Sequence, residues 1–180
     1  GIVPPTAGRV EVYGQVSTLL SLGVGFNARL TGRENVILGG LAAGLTRAEI
    51  EEKFSAIADF ADIGEAIDSP MKTYSAGMYS RLAFAVAVVV EPDVLIVDEA
   101  LSTGDAKFKK KSLEKIKTLR GENRAIILVS HALATIKEIC NDVIWLDKGK
   151  IFMRGNPEEV VAAYKESLQV SKSSSADEDL

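Results

Sequence analysis

The sequence predicts an α/β domain with a mostly parallel sheet, flanking helices and a small helical subdomain. In the second half of the chain, short apolar segments alternate with helical segments, which is the order of strands and crossover helices in a parallel sheet. In the first half, two capping boxes predict helices that belong to a helical subdomain at about 31–90. The chain can bury a sizeable core, because 47% of its 180 residues are hydrophobic.

The segment ahead of the helical subdomain is predicted to contain two short strands. Residues 9–13 and 15–20 are alternating or β-branched sequences around Gly14, so we expect an antiparallel pair joined by a turn. The Pro and Gly residues of 1–8 are typical of a helix end followed by a turn. The chain is therefore expected to begin within a domain, of which residues 1–168 form a part.

Three helices are predicted to form the helical subdomain. Thr31 and Thr46 are each followed three residues later by Glu, so the hydroxyl and the carboxylate can satisfy free N–H groups at a helix start. The third helix is expected at about 76–90, because AGMYSRLAFAVAVVV contains no breaker before Pro92.

The second half of the chain is predicted to supply most of the sheet. In chain order we expect strand 94–97, helix 105–120, strand 125–129, helix 132–140, strand 143–146, a turn at 147–150 and strand 151–153. A last helix should start with Asn156 as its N-cap and Pro157 at its first position, with Glu159 closing a capping box. Residues 169–180 are poor in apolar residues and are expected to be a disordered tail.

Charge, hydropathy and cysteine content argue against several functions. The net charge is −4 and the basic residues are spread along the chain, so we expect no nucleic-acid partner. The longest apolar run, 82–90, is far shorter than the roughly 18 residues of a membrane span, so we expect no direct insertion into lipid. The single cysteine, Cys140, and the lack of a signal peptide favour a reducing, cytosolic setting.

Three short segments carry the candidate chemistry. Asp98 and Glu99 follow a buried strand, where one carboxylate can hold Mg²⁺ and the next can polarise a water molecule, although an isolated pair can simply end a strand. Ser75 and Gly77 open the third helix, where free N–H groups can face an anion, although Ser there is often only an N-cap. His131 follows a strand, at the sheet edge where ligands bind in parallel α/β folds.

Taken together, the segments resemble the ATP-binding subunit of ABC transporters, which has a P-loop NTPase-like fold. Residues 74–78 (YSAGM) resemble the signature motif, 94–99 Walker B, 101–105 the D-loop and 130–131 the switch histidine. Four motifs in the right order are far more specific than any one of them. The stretches LGVGFNARLTGRENV, YSAGMYSRLAFAVA, DEALSTGDAKFKKKS and CNDVIWLDKGK are similar to subunits that energise polysaccharide export, of the O-antigen, teichoic acid and cell-wall galactan type.

The resemblance implies an ATPase that uses ATP and Mg²⁺. Asp98 would hold Mg²⁺, Glu99 would act as the base toward water, and His131 would contact the γ-phosphate. Two subunits would close on two ATP molecules, each site drawing signature residues from the opposite subunit and Asp105 joining the two sites. The implied nucleotide-binding residues are Ser75, Ala76, Gly77, Met78 and Asp105. Ala76 departs from the usual Ser or Gly of the motif.

Two further features of the family are absent from the sequence. No G-x-x-x-x-G-K-[ST] occurs, the loop whose N–H groups and Lys wrap the phosphates, and no Gln occurs between Val16 and Glu34, where most ABC ATPases carry one. We therefore expect an N-terminally truncated domain that binds ATP weakly by itself, whereas the intact protein would be an ATPase.

The resemblance also implies partners and a location. A homodimer of ATPase subunits would dock through residues 22–65 on an integral membrane permease, at the cytoplasmic face of a bacterial plasma membrane. Its activity would power export of a polysaccharide or polyol-phosphate polymer. Three alternatives stay open at this point: a non-catalytic truncated subunit, the ATPase head of a DNA-repair or chromosome-organising protein, and an importer ATPase. Coiled-coil heptads, typical of the second alternative, are not found.

Overall fold

The computed structural model describes residues 3–19, 25–98, 105–122 and 124–176. The chain divides into two compact units, Gly1–Ile127 and Leu128–Leu180. In the described ranges, no helix combines the length and the apolar content needed to cross a membrane.

The first unit contains the helical subdomain and two strands. Its elements are β1 (Val16–Thr18), α1 (Gly32–Ala42), α2 (Arg47–Ala61), two 3₁₀ helices (Gly64–Asp68 and Met71–Thr73), α3 (Ala76–Val89), β2 (Val94–Asp98) and α4 (Ala106–Gly121). Strand β3 (Ala125–Val129) spans the boundary between the units, and the sheet order is β1-β2-β3. Strands β1 and β2 are parallel, with Ser17 opposite Leu95.

The capping boxes predicted at the starts of α1 and α2 are both present. The Glu34 carboxylate accepts from the Thr31 N–H at 2.8 Å, and the Thr31 hydroxyl accepts from the Glu34 N–H at 3.2 Å. Thr46 and Glu49 make the same pair of bonds at 2.7 and 3.3 Å. These bonds lower the pKa of both glutamates and so favour their ionised carboxylates. The starts of α1 and α2 are therefore encoded locally, as the sequence predicts.

Helix α3 is the core of the first unit. Its residues from Leu82 onward, together with Val90, are all buried, which fits the run of apolar residues in this segment. Helices α1 and α2 approach closely at Gly40, where an added Cβ would lie 2.5 Å from Cγ1 of Ile50. The apolar run therefore forms a buried helix, as its length predicts, and α1 and α2 pack against it.

The second unit combines a hairpin with two helices. It contains α5 (Leu133–Ile139), β4 (Val143–Asp147), β5 (Lys150–Gly155) and α6 (Pro157–Ala176). Strands β4 and β5 are antiparallel, and Trp145 on β4 packs on Phe152 and Tyr164 at centroid distances of 4.3 and 5.2 Å. The aromatic contacts fix α6 on the hairpin.

Two expectations differ from the structure. Residues 9–13 form no strand, and the antiparallel pair predicted near the N-terminus is absent; β1 instead pairs in parallel with β2. The apolar side chains of this segment remain exposed, at 73% for Val10, 56% for Val12 and 81% for Tyr13. The alternating pattern therefore does not bury one face of a strand here. The predicted disordered tail differs as well, because α6 continues to Ala176; no Gly or Pro interrupts it, and residues 177–180 lie outside the described ranges.

Asn35 fixes the loop that precedes α1. Its side chain is fully buried; Oδ1 accepts from the Asn27 N–H at 2.7 Å, and Nδ2 donates to the carbonyls of Asn27 and Thr31 at 3.0 and 2.8 Å. A buried polar group is stable only when its hydrogen bonds are made, so one amide satisfies several loop groups at once.

We predict that Asn35→Leu lowers the free energy of unfolding by about 2–4 kcal/mol, because it leaves buried loop groups without partners. Urea denaturation monitored by circular dichroism measures the change. The same substitution at the exposed Asn141 is the control and should change stability little. Equal losses in the two variants would contradict the assigned role of Asn35.

Candidate functional site

The signature-like segment lies at the start of α3. Ser75 is the N-cap of this helix, and its hydroxyl accepts from the Met78 N–H at 3.2 Å. The first N–H groups of a helix have no partner within it, so those of Ala76 and Gly77 are available to an anion. Among the described residues, an added Cβ at Gly77 would meet only the Ser75 hydroxyl, at 3.8 Å, so the backbone is open to close approach. Ser75 and Ala76 are exposed, and Gly77 and Met78 are half-buried.

Tyr74 anchors this segment to the helical subdomain. Its hydroxyl donates to the Ala66 carbonyl at 2.6 Å and lies against Gly32, where any Cβ would overlap it. Burial raises the pKa of the Tyr74 phenol above its ordinary value. The sequence does not predict this hydrogen bond, because the Ala66 carbonyl is placed by the 3₁₀ turn at Gly64–Asp68. The residue just before the N-cap therefore holds the segment in place.

Asp98 is the last residue of β2. Leu95 and Val97 are fully buried and Asp98 is half-buried, so the strand carries its carboxylate from the core to the carboxyl edge of the sheet. Ligands bind at that edge in parallel α/β folds, and carboxylate oxygens suit Mg²⁺. The position of Asp98 therefore suits the role predicted for it, in which a carboxylate oxygen binds Mg²⁺. Glu99 and the first residues of the D-loop segment, 101–104, lie outside the described residues.

Asp105 is the N-cap of α4. Its Oδ1 accepts from the Phe108 N–H at 2.9 Å, and its other oxygen accepts from the Arg81 guanidinium. Both bonds lower the pKa of the Asp105 carboxyl, and the bond from the Phe108 N–H has the larger effect. The structure therefore brings one predicted site residue, Asp105, into contact with the helix that begins with the signature-like segment. The sequence motifs assign no role to Arg81, although it is the only charged residue in α3.

His131 belongs to the second unit, in the short connection between β3 and α5. Its side chain is exposed, and the preceding Ser130 hydroxyl accepts from the Ala132 N–H at 3.0 Å. The position at a strand-to-helix junction is the one the sequence predicts. Its role toward a phosphate stays a prediction.

Comparison with known proteins places these features in context. The ABC transporter family profile matches residues 3–102. The O-antigen export system ATP-binding protein RfbB of Myxococcus xanthus is 44% identical over 98% of this chain and 40% of its own length. The teichoic acids export ATP-binding protein TagH of Lactococcus lactis is 44% identical over 94% of this chain and 36% of its own length.

A solved structure shows the same fold. The dimeric ATP-binding cassette MJ0796, in a post-hydrolysis state with ADP and Pi, superposes with a TM-score of 0.66 at 18% identity, over 79% of this chain and 63% of that chain. The fold is thus that of an ATP-binding cassette. This chain belongs to the ABC transporter family, as its signature-like and Walker B-like segments predict. It spans well under half of the length of the two relatives described above.

We predict that Tyr74→Phe lowers the free energy of unfolding by about 1 kcal/mol, because the Ala66 carbonyl loses its partner. Tyr13→Phe, at a side chain that is 81% exposed, is the matched control and should have no effect. Both changes are measured by urea denaturation at neutral pH.

The same pair of variants tests the raised pKa. A phenol with a raised folded-state pKa contributes stability that is complete below its unfolded pKa, about 10, and is lost as the pH rises through the folded value. The difference between the wild type and Tyr74→Phe should therefore shrink above about pH 10. A constant difference across this range would contradict the burial of the phenol.

Proposed function

We propose that this chain is part of an ATP-hydrolysing subunit that powers export of a polysaccharide or polyol-phosphate polymer through a membrane permease. The observation that carries the proposal is the exposed, Ser75-capped start of α3 in a chain whose β2 ends in Asp98. The names of the two relatives support the direction of transport and the class of cargo.

The proposed chemistry is the transfer of the ATP γ-phosphate to water. Asp98 would hold Mg²⁺, which neutralises charge that develops on the phosphate oxygens. Glu99 would accept a proton from the attacking water, and His131 would contact the γ-phosphate. Ser75 and the N–H groups of Ala76 and Gly77 would bind phosphate oxygens of a nucleotide held by a second subunit, with Met78 in the same segment.

The quaternary arrangement is proposed on the same basis. Two ATPase subunits would form a homodimer, as in the dimeric neighbour, and would sit at the cytoplasmic face of a bacterial plasma membrane. Ser75 and Ala76 of the signature-like segment are exposed, which suits a surface shared with a second subunit. Asp105 would contribute to the contact between the two sites.

The permease would dock on residues 22–65. In the described part of this range, α1 carries Leu38 and Leu41, which are 36 and 49% exposed. Between α1 and α2 lies a groove of about 250 Å³, lined by Arg33, Ile37, Arg47, Ile50, Glu51 and Phe54. Its lining combines three apolar and three charged residues, and protein-binding surfaces also combine apolar and polar residues. The groove supports the docking proposal.

We predict that Glu99→Gln, in the full-length protein purified with its permease, lowers kcat for ATP hydrolysis by about 10²–10⁴-fold, because the amide cannot accept the proton. Phosphate release measures the rate. Asp147→Asn is the control, since Asp147 also ends a strand but is exposed in the β4–β5 hairpin. An unchanged rate for Glu99→Gln would remove Glu99 as the base, and a wild type without activity would favour a non-catalytic subunit.

The 180-residue chain alone should bind ATP weakly and hydrolyse it little, because no G-x-x-x-x-G-K-[ST] is present to wrap the phosphates. Isothermal titration calorimetry with Mg²⁺-ATP measures the affinity. A micromolar dissociation constant would contradict this prediction and would require phosphate ligands that the sequence motifs do not reveal.

A further inference from the structure

Arg81 joins the ends of two helices in the first unit. One nitrogen, Nη1, donates to the Asp62 carbonyl at 3.0 Å, and the other, Nη2, donates to the Asp105 carboxylate. The guanidinium also stacks over Phe108, with 5.2 Å from Cζ to the ring centroid, and the side chain is only 19% exposed. A planar fork with several donors can make these contacts at the same time, whereas an ammonium group cannot reproduce this geometry.

The two groups that receive the Arg81 hydrogen bonds are both helix caps. Asp62 is the C-cap of α2 in the left-handed conformation, with φ of 52°, and Asp105 is the N-cap of α4. The last carbonyls of a helix carry partial negative charge and favour a cation. Lys111 of α4 adds a second cation at the same end of α2, donating to the carbonyls of Asp59 and Phe60 at 2.8 and 3.1 Å.

Aromatic packing supports the polar contacts. Phe60 of α2, Phe84 of α3 and Phe108 of α4 contact one another in all three pairs, with centroid distances of 5.8–5.9 Å. Phe84 and Phe108 are buried. Aromatic pairs at such distances stabilise one relative orientation of their helices. The end of α2, the first turns of α3 and the start of α4 thus form one packed block, with Arg81 at its polar side.

Arg81 lies on the same helix as the signature-like segment but not at its phosphate-facing end. It follows Ser75 by six residues, which is about 9 Å along the helix axis. Its donors are directed to Asp62 and Asp105 instead. Any influence on the ATP site must therefore pass through the groups that it holds.

We propose that Arg81 is a positioning residue, which holds the start of α3, Asp105 and the end of α2 in one arrangement. This inference rests on the proposed ATPase function, and it names the contact that links the helical subdomain to Asp105 of the proposed ATP site. Through Asp105 the contact reaches the D-loop segment, and through Asp62 it reaches the helix that forms one wall of the proposed docking groove.

The test uses the full-length protein with its permease and the substitutions Arg81→Lys and Asp105→Asn, singly and together. Arg81→Lys keeps the charge but not the fork, so we expect kcat for ATP hydrolysis to fall on the order of tenfold with KM for ATP unchanged. The double variant should be no slower than the slower single variant, because both substitutions break the same contact. Arg154→Lys is the matched control: Arg154 pairs with Asp142 on the hairpin at 2.7 Å and should leave kcat unchanged.

Melting temperatures separate positioning from folding. If Arg81→Lys melts like the wild type and kcat alone falls, the proposal is supported. If kcat and KM are both unchanged, or if activity declines only in proportion to the folded fraction, the proposal is wrong. Additive losses in the double variant would also overturn it. A wild type that does not hydrolyse ATP would instead contradict the proposed function, so the two failures are distinguishable.

Discussion

The first unit depends on the burial of α3. From Leu82 to Val90, every side chain is buried, so this helix cannot rotate or slide without exposing apolar surface. Its N-terminal turn is consequently held at a fixed place on the surface. Tyr74 secures the residue before the helix, and the contacts of Arg81 secure the side of its second turn. These contacts fix the surroundings of Gly77, whose backbone the proposed function places against a phosphate.

Local rules account for the parts of the fold that the sequence predicts well. The starts of α1 and α2 follow from Thr-x-x-Glu, and α3 follows from an apolar run too long for a strand, because each signal is contained within a few neighbouring residues. The same local signals predict those residues of the candidate site that lie at the end of a strand or at the start of a helix. Asp98 and Ser75 occupy such positions in the structure.

Contacts between distant residues were beyond the reach of sequence reasoning. Arg81 and Asp105 are 24 positions apart, and Asn35 is buried by a loop rather than by its own helix face. At 9–13 the alternating pattern predicts a strand, yet alternation does not reveal whether another segment pairs with it. At 169–176 the polar composition predicts disorder, but a helix already stabilised by Val160 and Val161 continues through it. For Arg81 and Asn35 the contacts depend on the tertiary fold, which no local pattern encodes.

The contact between α1 and α2 limits how the docking region can change. The backbone of Gly40 lies so close to Ile50 that the two positions together have room for a single large side chain. A bulkier residue at 40 would push α1 away from α2 and widen the groove between them, unless the residue at 50 became smaller by a similar volume. The width of this groove is therefore set by a shared volume, and neither helix can alter it alone.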